Sequence, residues 1–156
     1  FGFDSNILEC ASNKKLFSKV MRYKIATIQK ALFFKHIHTE YSYDDNKEKT
    51  PLVGPIFMMC NGKYGWGWMN LAESAKIDDG KITVSYINKF PRWKTIGILL
   101  KFLKGGLEKL KQGGSFNCDK VEVEMDNGIF EADGQIYRDA KKIKAQIVTK
   151  QLKLIK

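Results

Sequence analysis

Two short strand-like runs, the apolar Ile56–Cys60 and the β-rich Ile82–Ile87, bracket a segment that no continuous helix or strand can accommodate. Each run has the length and the flanking turn residues of a buried strand. Between them stand Asn61-Gly62, glycines at 65 and 67, and the acidic turn Ile77-Asp78-Asp79-Gly80. Glycine allows positive φ and a close approach of the backbone to another group. A strand, a glycine-laced loop, an acidic turn and a second strand read as a site carried on a sheet.

The rest of the chain supplies more sheet and two helical patterns. Residues 1–11 read as a strand or extended segment. Over 13–34, Phe17, Met21, Ile25, Ile28 and Leu32 keep one face of a 3.6-residue period, with Lys15, Lys19, Arg22 and Lys30 opposite and Ser12 or Asn13 as N-cap. His36 and His38 share a face if Ile37–Tyr43 is a strand. Two imidazoles fall short of the three or four ligands of a zinc site, so a structural or surface role is expected. Residues 44–51 form a charged hairpin loop with Pro51 as its stop signal.

Beyond the central stretch, Pro91 suits a first helical position. Trp93, Ile96, Leu100, Leu103 and Leu107 follow at helical spacing, and Gly105-Gly106 is the stop. That stripe is expected to face the core. The interleaved Lys94, Lys101, Lys104, Lys109 and Lys111 leave an anionic membrane surface as the alternative. In 121–125 valine and methionine alternate with glutamate, which puts Val121, Val123 and Met125 inward. Asn127-Gly128 before Ile129-Phe130 is the strongest hairpin signal in the chain. The Lys-rich tail, 142–155, reads as one or two edge strands. The domain is therefore mainly β with a few helices, and 156 residues suit one domain, 1–156, with an ordinary core.

Charge and cysteines narrow the class. Twenty-seven Lys and Arg against seventeen Asp and Glu give +10, which favours nucleotide phosphates, anionic lipid headgroups or nucleic acid as partners. The lysines are spread along the chain, so nucleic acid is the weakest of the three. Cys10, Cys60 and Cys118 are scattered and odd in number, fitting buried thiols in a reducing cytoplasm. No apolar run approaches the ~20 residues of a membrane span. Opening on Phe1 without Met suggests a piece of a longer protein.

In order, Gly2-Phe3-Asp4, Asn61-Gly62, Gly65-Trp66-Gly67-Trp68-Met69, Ala75-Lys76-Ile77-Asp78-Asp79-Gly80 and Asp133-Gly134 resemble the second domain of the diacylglycerol kinase and sphingosine kinase superfamily, in particular the bacterial soluble lipid kinases. The resemblance spans nearly the whole chain. It implies a β-sandwich-like antiparallel fold and an ATP- and Mg²⁺-dependent phosphorylation of a lipid hydroxyl. The superfamily's Gly-Gly-Asp-Gly-Thr nucleotide signature does not occur in the sequence. The resemblance assigns it to an N-terminal domain, without which this fragment is expected to be inactive. An anionic membrane surface is a further expected partner, with the protein cytoplasmic or peripheral at the membrane.

The resemblance also assigns residues. The Asp79 carboxylate and the main-chain oxygens of Lys76 and Lys81 would hold the divalent ion, a donor set of the kind hard cations take. A plain Asp-Gly turn is the bland alternative. Asn61, Gly65 and Gly67 would line the substrate side, although Trp66 and Trp68 replace glycines of the family pattern and would narrow the approach or line an apolar slot. Asp133-Gly134-Gln135 occupies the place of the family's Asp-Gly-Glu, whose glutamate is taken as general base. Gln135 is a neutral amide and cannot accept the proton. Glu131, Asp133 or Asp139 would substitute, or solvent or phosphate would take the proton, or the reaction is lost. In that last case the chain is a non-catalytic lipid- or membrane-binding pseudo-kinase domain.

Overall fold

A computed structural model of the chain describes residues 35–65, 69–126 and 128–148; for Met69 and residues 103–105 only the backbone is described. The expected extended segment 1–11, the helix 13–34, residues 66–68 (Gly67 included) and the end of the tail lie outside these residues.

A four-stranded antiparallel sheet has the order β11 (Lys142–Gln146), β8 (Lys120–Met125), β1 (Ile37–Tyr43), β2 (Thr50–Gly54). A three-stranded antiparallel sheet has the order β3 (Ile56–Cys60), β6 (Ile82–Ile87), β7 (Gly113–Cys118). Their inner faces meet in one core. Ile37, Tyr41, Leu52, Val121, Val123 and Met125 come from the first sheet and Phe57, Ile82, Val84 and Cys118 from the second. The Cys118 thiol, pushed up to about 11 by burial, behaves as a small hydrophobe. The alternation read in 121–125 is realised: Glu122 and Glu124 point outward and pair with Lys142, Lys144 and Lys49. Such exposed pairs fix register more than they stabilise.

The three-stranded sheet is covered on its other face too, which is why its central strand β6 reads as an almost unbroken buried run. Ile56, Met58 and Ile87 meet Leu71, Phe90, Ile98, Phe102, Leu107 and Leu110 in a second core. Ile98 and Phe102 come from α1 (Thr95–Gly105), which follows a 3-10 turn at Arg92–Lys94 and ends at Gly106 with φ 78. The layers are thus sheet, sheet, helix. No helix among the described residues is long and apolar enough to cross a membrane.

The sequence reading is corrected in three places. Pro51 lies inside β2 opposite Glu40 and does not stop it; β2 is an edge strand, where the missing N–H costs no ladder bond. β8 and β9 (Phe130–Ala132) do not form the hairpin expected about Asn127-Gly128, of which Asn127 lies outside the described residues. β8 pairs instead with β1 and β11, and β9 pairs with β10 (Gln135–Tyr137). Gly128, at φ 60, turns the chain out of the sheet, and its carbonyl accepts from Ala140 N–H. Finally, the helical stripe expected to face the core does so at its end, where Leu107 is buried, but its first three members face outward. Trp93, Ile96 and Leu100 are 80%, 60% and 54% exposed, while Thr95, Ile98 and Phe102 form the buried face. Both faces of α1 carry apolar residues, so periodicity alone could not say which packs.

Gly97 lies on that exposed face, and a Cβ there would meet nothing within 4 Å. Gly97→Ala is therefore expected to stabilise the domain by about 0.5–1 kcal/mol, through helix propensity alone. A denaturant midpoint that fails to rise would count against it.

Candidate functional site

The loop that leaves β3 at Cys60 bends at Asn61-Gly62 and forms the short ladder of β4 (Tyr64–Gly65) with β5 (Met69–Asn70). It closes where the N–H groups of Leu71 and Ala72 both donate to the Lys63 carbonyl. Asn61 is exposed, and Gly62 is open, with nothing within 4 Å of a Cβ. A Cβ at Gly65 would lie 2.1 Å from Leu71 Cδ1, so the Leu71 side chain, which anchors the loop in the second core, would have to shift. Beside it, the Asn70 carboxamide oxygen is buried without a hydrogen-bond partner among the described residues. Gly106 packs over Asn70, where a Cβ would come within 2.9 Å of the Asn70 carbonyl. Asn70 was not singled out from sequence; an asparagine two residues beyond a Trp-Gly-Trp run carries no signal of burial.

A second link was equally hidden. The Glu108 carboxylate accepts from the Ser74 N–H at 3.1 Å, the Ser74 hydroxyl at 2.7 Å and the Ser115 hydroxyl at 3.2 Å. It ties the glycine loop to β7 and to the segment after α1, across sequence separations no motif spans. Burial alone would raise the Glu108 pKa, but these hydrogen bonds outweigh it and hold the carboxyl below its ordinary value of 4.5. The folded state therefore binds this proton less well than the unfolded chain. The contribution of Glu108 is full above pH 4.5 and lost as pH falls through the depressed folded value. Glu108→Ala should cost about 1–2 kcal/mol at neutral pH and flatten the acid limb of the denaturation midpoint; an unchanged limb would contradict this.

The acidic turn follows. Gly80 has φ 70, and Asp79 Oδ1 accepts from Lys81 N–H at 2.9 Å. Lys81 Nζ reaches Asp119 Oδ1 at 2.6 Å, and Asp119 N–H in turn donates to Asp44 Oδ1 at 2.7 Å. The turn is thereby fastened to the ends of β1 and β7. Among the described residues no group of three His, Cys, Asp or Glu could hold a metal ion. A hard cation here would rely on one carboxylate, Asp79, with main-chain carbonyls such as those of Lys76 and Lys81 and with water, a donor set Mg²⁺ accepts. His36 lies edge-on to Phe90 at 6.0 Å with its pKa lowered, first by burial, and His38 is exposed.

The Asp133-Gly134 pair is the tip of the β9–β10 hairpin. Ala132 pairs with Gln135, and the two central residues have φ 49 and φ 84. Positive φ at both positions makes a type I′ turn, for which Asp-Gly is a favoured sequence. The Glu131 carboxylate accepts from the Gly134 N–H and so belongs to its own turn. Gln135 Oε1 accepts from the Tyr137 hydroxyl at 3.0 Å, and the Tyr137 ring stacks on Phe130 at 4.8 Å. Gln135 is exposed and held on one face of the hairpin. The hydrogen bonds of the Asp79 turn and those of the Gln135 hairpin run to separate partners.

Two facing antiparallel sheets that carry a glycine loop, an acidic turn and a separate Asp-Gly hairpin define a sandwich-like domain of the type expected from the lipid-kinase resemblance. The chain belongs to the family of YegS C-terminal NAD kinase beta sandwich-like domains, whose model matches residues 1–156. No curated protein matches it. Two solved structures, both of a candidate diacylglycerol kinase from Bacillus anthracis str. Sterne, share the fold. Each is 15% identical with a TM-score of 0.53; they cover 87% and 88% of this chain. The chain spans 44% of the length of either structure.

Proposed function

We propose that this chain is the C-terminal part of an ATP-dependent lipid kinase that phosphorylates the hydroxyl of a diacylglycerol or sphingoid lipid on the cytoplasmic side of a membrane. The observation that carries the reading is the family match over residues 1–156, on a sandwich whose Asp133-Gly134 turn presents residue 135 at its exit. The nucleotide would be held mainly by an N-terminal domain. Mg²⁺, when bound, supplies charge neutralisation, and Asp79 with the carbonyls of Lys76 and Lys81 are the groups here that would hold it. Asn61, Gly65 and Gly67 are assigned to the substrate side of the glycine loop. Gln135 and Asp133 are assigned to the acceptor hydroxyl. Gln135 can orient that hydroxyl but takes no proton, so transfer relies on positioning and charge stabilisation.

The experiment is phosphate transfer from ATP by the full-length protein that carries this chain, with Mg²⁺ and diacylglycerol or a sphingoid base. Lipid-dependent transfer is the expected result, and its absence from a folded protein would remove the enzyme reading. Gln135 specifically favours one alternative, a non-catalytic domain that holds lipid or membrane without transferring phosphate. That reading predicts lipid binding with no transfer.

A further inference from the structure

Among the described residues, the outward face of the 92–102 segment gathers three exposed large apolar side chains. Trp93, Ile96 and Leu100 recur at spacings of three and four, so they form one stripe along the 3-10 turn and α1, and all three are more than half exposed. Arg92, Lys94 and Lys101 alternate with them and are exposed, as is Lys89 just before. Residues 81–107 contain six Lys and Arg and not one Asp or Glu. Among the described residues, none of Lys89, Arg92, Lys94 and Lys101 makes an ion pair. Two cations at the start of α1 also oppose the helix dipole, which favours acids there. The local sequence thus gives up helix stability and solubility together, at one face.

We infer that this face docks on an anionic phospholipid membrane. The cations stand within one residue of the apolar side chains: Arg92 and Lys94 flank Trp93, and Lys101 follows Leu100. Lys94 Nζ lies 4.9 Å from the Trp93 ring centre. A dry protein interface would bury these cations with the apolar groups, at a cost unless acids met them. A lipid surface separates the two without that cost. Trp93, Ile96 and Leu100 enter the acyl boundary, and the lysine and arginine stems reach back to the phosphate layer. The opposite face of the helix, Ile98 and Phe102, is fixed in the second core, so the docked helix lies flat and is already ordered. Gly97, with open space over its Cα, leaves the stripe low at its middle. The choice of a lipid surface rests on the lipid-kinase reading, but docking and catalysis are separately measurable.

The test is co-sedimentation of the full-length protein with phosphatidylcholine vesicles, with and without phosphatidylglycerol, and without ATP. Binding should require phosphatidylglycerol and weaken with salt. Ile96→Asp with Leu100→Asp should reduce partitioning at least about tenfold, and Lys94→Gln and Lys101→Gln about fivefold each. All four positions are exposed, and an unchanged circular-dichroism melt verifies the fold. Failure to bind, equal binding to both vesicle types, or variants that bind like the parent would overturn the proposal. So would variants that leave binding intact and alter self-association, which would assign the face to a protein partner. Vesicle binding without phosphate transfer defeats only the kinase reading. Transfer to a dispersed short-chain lipid without vesicle binding defeats only the docking.

Discussion

Gln135→Glu in the full-length protein should raise lipid-dependent phosphate transfer by about 10²–10⁴-fold, the range a positioned general base contributes. The geometry favours a clean comparison. Glutamate is isosteric with glutamine, residue 135 is exposed at the exit of a type I′ turn, and its oxygen already accepts from Tyr137. The substituted carboxylate keeps that hydrogen bond with one oxygen and leaves the other for the lipid hydroxyl. The gain should appear in kcat more than in KM, because the interaction forms as the proton moves. A flat response would mean that the chemistry proceeds without a base at this position. A protein silent both before and after substitution, yet lipid-binding, would be the non-catalytic domain.

The largest effect on stability is expected at Gly54. A Cβ there would lie 1.8 Å from the Ile87 carbonyl oxygen, a backbone atom with no rotamer to yield. Gly54 ends β2 in one sheet, Pro55 carries the chain across, and Ile56 opens β3 in the other, paired with Ile87. Lys89 N–H donates to the Val53 carbonyl at 2.7 Å beside the crossing. Gly54→Ala must therefore push the two sheets apart where they share a strand run, and should cost about 3 kcal/mol or more. Gly62→Ala is the control: its Cβ meets nothing within 4 Å, and the change should stay within about 0.5 kcal/mol. Denaturant midpoints of the two variants that coincide would refute the close-approach account.

These cases show what the chain declared in advance. The strands Ile56–Cys60 and Ile82–Ile87 were readable because a sheet covered on both faces leaves short, nearly unbroken buried runs, and 121–125 because one buried face leaves a period of two. The sandwich itself came from motif order, since no local pattern says which sheet a strand joins. The outward turn of Trp93, Ile96 and Leu100 was not readable, because an apolar stripe is the same whether it meets a core or a bilayer. Asn127-Gly128 misled for a related reason: turn chemistry reports that the chain reverses, and pairing is decided by the Glu–Lys ladder and the core behind it. The Asp133-Gly134 tip was noticed for its place in a family motif, while the backbone signal it carries, two positive-φ positions in a two-residue loop, is the better physical reason for its residues. Asn70 and Glu108 were invisible, since Asn70 lies under Gly106 and Glu108 meets Ser74 34 residues away, neighbours that only packing brings together.

The β9–β10 hairpin joins neither of the two sheets. Three residue pairs hold it to itself, and Phe130 leans on the inter-sheet core at its base. A side chain at position 135 can therefore be exchanged with little reference to whether the sandwich folds. On the kinase reading, the residue assigned to the acceptor hydroxyl stands on an appendage, so selection could rewrite that residue, or erase its role, without touching the architecture that carries it.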